Sequence, residues 1–67
     1  MEGNIEIVLC GQPLSLDYEY TSIGWRLTGG KYLETDRSIE RSVLLMMQHT
    51  CWVKINQKIV LNELKDK

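Results

Sequence analysis

Seven residues from Leu14 to Tyr20 (LSLDYEY) put Leu14, Leu16, Tyr18 and Tyr20 on one side and Ser15, Asp17 and Glu19 on the other. This alternation has the two-residue period of a β-strand with one apolar and one acidic face. Asn4 to Cys10 (NIEIVLC) repeats the pattern, with Ile5, Ile7 and Leu9 opposed to Glu6, Val8 and Cys10. Gly11-Gln12-Pro13 between them reads as a turn, because Pro fixes φ and Gly accepts unusual dihedrals. The first twenty residues are therefore expected to form a β-hairpin that needs a covering layer on its apolar side.

Ile23 to Thr28 continues the alternation with Ile23, Trp25 and Leu27 on one face. Gly29-Gly30 reads as a hairpin turn and Lys31 to Glu34 as a short returning strand. Near Thr35 the period changes. Thr35 or Asp36 can cap a helix, and the run 36–50 has helical spacing, with Ile39, Val43, Met46, Met47 and Thr50 along one stripe. Cys51 to Asn56 and Lys58 to Leu64 read as a closing hairpin around Asn56-Gln57, with 65–67 as a frayed tail. The expectation is an α+β fold in a single domain, 1–67. It comprises a small antiparallel sheet of two to three hairpins with a single α-helix, about 36–50, packed on one face, in the order ββ(ββ)αββ.

Composition agrees with a strand-rich chain. There is no Ala and no Phe, whereas Ile, Val and Leu number six, four and nine. With 43% hydrophobic and 25% charged residues, the 67-residue chain falls outside the disordered class. No apolar run approaches the roughly 18 residues that span a bilayer. The first twenty residues carry four acids and no base, unlike a signal or transit peptide. These features point to a cytoplasmic protein without membrane contact, whose Cys10 and Cys51 act as buried small apolar residues.

Charge divides by halves. Residues 1–34 hold five acids and two bases, a net −3, and residues 35–67 hold four acids and six bases, a net +2. Glu6, Asp17 and Glu19 form an acidic patch on the hairpin, either its solvated side or a surface for a basic partner.

Residues able to carry catalysis are few. Cys10, His49 and Cys51 are the only soft metal ligands, and they lack the paired spacing of a structural zinc site. A Cys–His nucleophile pair has no evident orienting third group. Gly29-Gly30-Lys31 lacks the remaining residues of a phosphate-cradling loop. No enzyme activity, metal or cofactor is expected.

Binding is the better supported class. On a helix from 36 to 50, Leu44 and Leu45 flank the polar face of Arg37 and Arg41, and Trp52 stands at the helix exit. An apolar spot rimmed by arginine is typical of interfaces. The expectation is a small non-enzymatic regulatory or inhibitory protein that binds another protein, a kind common among phage and mobile-element accessory proteins. The open sheet edges also make a homodimer an expectation. The alternative is a single-stranded nucleic-acid-binding module, with Arg37 and Arg41 on phosphates and Tyr18, Tyr20, Trp25, Tyr32 and Trp52 as stacking surfaces. A net charge of −1 weighs against it.

Overall fold

The alternation of the first twenty residues becomes a hairpin in the computed structural model, which describes residues 1–65. β1 (Glu2–Leu9) and β2 (Gln12–Thr21) pair antiparallel, with Ile5 opposite Leu16 and Ile7 opposite Leu14. Ile5, Ile7, Leu9, Leu14, Leu16 and Tyr18 are all buried on one face, whereas Glu6, Val8 and Asp17 are exposed on the other. The turn is Cys10-Gly11, one residue earlier than the Gly11-Gln12-Pro13 expected. Both residues have positive φ, 52° and 75°, as a two-residue turn matching strand twist requires.

β3 (Gly24–Tyr32) pairs with β2 and runs straight through Gly29-Gly30, so the turn expected there does not exist. These glycines provide room instead of curvature. A Cβ on Gly30 would stand 2.8 Å from the Ser15 carbonyl oxygen and 3.2 Å from Ile39. The chain reverses between Thr21 and Gly24, leaving Ile23, expected in the core, 97% exposed at the tip. Trp25 and Leu27 do pack against the core. Between Gly29 and Leu27 the register shifts, leaving Thr28 as a bulge. A turn with Asp36 at φ 57° and a Lys31–Asp36 ion pair of 3.1 Å leads into β4 (Arg37–Ser38). The sheet order is β1-β2-β3-β4, antiparallel throughout.

The single helix expected over 36–50 starts later and has a successor. Arg37 and Ser38 pair with Tyr32 and Lys31, and the Ile39 N–H donates to Gly30 O at 2.9 Å. Those bonds hold the chain extended as far as Glu40 (ψ 148°), after which α1 (Arg41–Thr50) begins. Ile39 therefore lies off the helix, and the stripe phased from it is rotated. Leu44, Val43 and Met47 face the core, while Met46 and Thr50 are exposed.

The hairpin expected over 51–64 is a helix, α2 (Trp52–Lys65). Ile55 and Ile59, one turn apart, are fully buried against the sheet. Over the described residues the fold is thus α+β, with a four-stranded antiparallel sheet and two helices. Lys65 closes α2, and the rest of the expected tail, 66–67, lies outside the described residues. Among the described residues no helix is long and apolar enough to cross a membrane.

Polar bonds fix the helices on the sheet. The buried Tyr18 hydroxyl donates to Glu63 Oε2 at 3.0 Å and accepts from Asn62 Nδ2 at 2.8 Å. Trp25 Nε1 donates to Asn56 Oδ1 at 2.8 Å. The Leu27 N–H, near the bulge, donates to Gln48 Oε1 of α1 at 3.3 Å.

Two substitutions test this packing. A Cβ on Gly3, opposite Tyr18, would fall 2.5 Å from the phenol ring and hydroxyl. Gly3→Ala should displace the ring and lower unfolding free energy by about 1–3 kcal/mol, whereas Gly29→Ala, whose nearest neighbour is Asp17 Oδ2 at 3.5 Å, lacks that clash. Cys10→Asn should raise stability by about 0.5–1 kcal/mol, because Asn tolerates left-handed geometry better. Urea unfolding measures both; an unchanged Gly3→Ala midpoint would contradict the close contact.

Candidate functional site

Of the five residues expected to form a partner-binding spot, two stand as exposed apolar side chains on the helices. Leu45 is 55% exposed on α1, and Trp52, 49% exposed, opens α2. Leu44 is buried, so its assignment to an interface is corrected: starting α1 at Arg41 turns it toward the sheet. Arg37 and Arg41 are exposed but share no helical face, because Arg37 belongs to β4 and Arg41 opens α1. Arg41 and Leu45 line a shallow groove with Gln48 and the bulged part of β3.

Trp52 is tied into the fold on one side. Its ring stacks on Trp25 with centroids 6.1 Å apart and planes 21° from parallel. Since the Trp25 indole is itself held by Asn56, one turn beyond Trp52, strand β3 and the start of α2 present one rigid aromatic pair. Trp52 covers Trp25 and leaves half its own surface to solvent.

The sequence reading missed the largest feature of the helical layer. On α2, Val53, Val60, Leu61 and Leu64 are 41–63% exposed, and Met46 is 63% exposed on α1. Positions 53, 60, 61 and 64 follow helical spacing, a signal hidden by reading this stretch as two strands. Around them stand Arg41, Lys54, Lys58 and Lys65, all exposed. The only acid within the two helices, Glu63, turns inward to Tyr18. The outward helical surface is therefore apolar with a cationic rim.

The acidic patch occupies the opposite side of the molecule. Glu6, Asp17 and Glu19 share the sheet face away from the helices, with Glu2, Asn4 and Ser15. They are not equivalent. Asp17 Oδ1 accepts from Asn4 Nδ2 at 2.8 Å, and the same amide donates to Ser15 Oγ. Glu19 pairs with Arg26, directly across on β3, at 2.8 Å. Among the described residues Glu2 and Glu6 make no hydrogen bond or ion pair through their side chains. The exposed patch thus reduces to Glu2 and Glu6 on β1, with a partly engaged Asp17.

Both cysteines are free. Cys51 is half-buried between the helices, but Cys10 is exposed in the first turn, which corrects its expected burial. Among the described residues no three His, Cys, Asp or Glu side chains come together as a metal site. Against models of protein families, against curated proteins and against solved structures, the chain has no match.

Proposed function

We propose that the chain is a small non-catalytic binding protein with a regulatory or inhibitory role, and that its partner is another protein. The carrying observation is the outward surface of the two helices. Leu45, Met46, Trp52, Val53, Val60 and Leu64 all lie there, each at least two-fifths exposed in a chain with few buried side chains to spare. Apolar side chains gathered on one layer and rimmed by charge mark association surfaces, whereas scattered single ones do not. The rim is Arg41, Lys54, Lys58 and Lys65, so the complementary surface is apolar with an acidic border. Trp52, held rigid by Trp25, has the properties of an anchor residue.

Nucleic-acid binding has less support. Tyr18 is fully buried, and Trp25 and Tyr32 are packed against the core, so they offer no stacking platform on the sheet. The open sheet face carries Glu2, Glu6 and Asp17, which repel phosphate.

Capture from a nuclease-treated source lysate, with Leu45→Arg and Leu64→Arg variants alongside, tests the reading. Both positions are more than half exposed, so folding should change by no more than about 0.5 kcal/mol. A stoichiometric protein held by the unaltered chain and lost from both variants is expected. Capture that disappears with nuclease, or that persists undiminished in both variants, would contradict it.

A further inference from the structure

The two edges of the sheet are treated differently. On the β3 side, β4 pairs with two residues, Thr28 bulges, and α1 lies alongside with Gln48 bonded to the Leu27 N–H. These are devices that stop a sheet from recruiting another strand. The β1 side has none of them. β1 runs eight residues in unbroken register with β2 and contains no proline.

The groups it leaves unpaired can be assigned. Met1 and Tyr20 exchange both backbone bonds, Met1 N to Tyr20 O at 2.9 Å and Tyr20 N to Met1 O at 2.7 Å. Antiparallel pairing alternates, so Gly3, Ile5, Ile7 and Leu9 also bond to β2, and Glu2, Asn4, Glu6 and Val8 turn their N–H and C=O groups outward. Among the described residues no side chain bonds those outward groups.

We infer that β1 pairs antiparallel with β1 of a second copy of this chain, joining the two four-stranded sheets into one continuous sheet around a two-fold axis at Ile5. Charge selects both the occupant and the register. With Ile5 facing Ile5, Glu2 lies opposite Val8 and Asn4 opposite Glu6, so all four outward residues pair and no carboxylate faces another. A two-residue slip one way sets Glu2 against Glu6; the other way sets Glu6 against Glu6. Either slip also drops one outward residue from the ladder. Like charges directly opposite are destabilising, so one self-complementary register remains. On the helix side, Leu61 lines the groove over Ile5 between β1 and α2, and the pairing brings it toward its counterpart. Lys58 and Lys65 flank that groove, and their long stems let the ammonium groups stay in water. This edge adjoins the outward helical surface proposed for a different protein and shares Lys58, Leu61 and Lys65 with it, whereas Leu45, Met46 and Trp52 lie away from it.

Sedimentation equilibrium of the full chain over a dilution series decides the matter through Val8. That side chain is 62% exposed and lies opposite Pro13 in the register with β2. Opposite Glu2 of the second copy, Val8→Lys should tighten the dimer and Val8→Glu should loosen it, each by roughly threefold to tenfold because the change counts twice across the axis. Glu6→Pro removes an N–H that β2 does not use, and should give a folded monomer by circular dichroism. If that variant fails to fold, the Val8 pair decides alone. Leu45→Arg should leave the dimer intact. A chain monomeric at every concentration, or a dimer whose dissociation constant is the same in both Val8 variants, would overturn the inference.

Discussion

A phenol buried in the middle of a sheet needs a partner for its hydroxyl, and the position of α2 follows from how Tyr18 obtains one. Left unpaired, that hydroxyl would cost about 1–3 kcal/mol. The last turns of α2 supply Asn62 as donor and Glu63 as acceptor, which holds that end of the helix against β1, where the phenol reaches across Gly3. Nearer its start, Asn56 accepts from Trp25 of β3. Two polar clamps on neighbouring strands fix the helix in place and direction, and Ile55 and Ile59 fill the sheet surface between them. Gly3 belongs to the same arrangement, since only the absence of a side chain there leaves room for the phenol.

With one face of the sheet closed in this way, the charge division of the sequence becomes a division in space. The acidic residues 1–34 build the three long strands, and both helices come from the basic half. One side of the molecule then carries Glu2, Glu6 and Asp17, and the other carries Arg41, Lys54, Lys58 and Lys65 around apolar side chains. The two sides thus differ in sign of charge. The edges divide as well. β3 is bulged and screened by α1, whereas β1 keeps an unbroken register and an open outer edge.

The first hairpin was legible because its strands bury one face only, which makes the period of two unambiguous. α2 was not. Its outward Val53, Val60, Leu61 and Leu64 blur the helical period set by Ile55 and Ile59, and four β-branched residues favour a strand by propensity. Burial against the sheet overrides that preference. Gly29-Gly30 carries the same residue pair a turn would need, and only the closeness of Ser15 and Ile39 shows that the glycines serve packing. For the candidate site, Leu45 and Trp52 could be read as apolar side chains outside a core stripe. Leu44 could not, because its orientation depends on β4 delaying the helix to Arg41. The pairing of Glu19 with Arg26 depends on the bulge at Thr28, which sets the register beyond it.

The dependence of the fold on the Tyr18 clamp is most directly measured by a double-mutant cycle between Tyr18→Phe and Asn62→Ala, read by urea unfolding. Two side chains sharing one buried hydrogen bond should show non-additive costs, with a coupling of about 1 kcal/mol and each single change costing about 1–2 kcal/mol. Costs that simply add, or a Tyr18→Phe variant as stable as the parent, would contradict the fixing of α2 on the sheet by this bond.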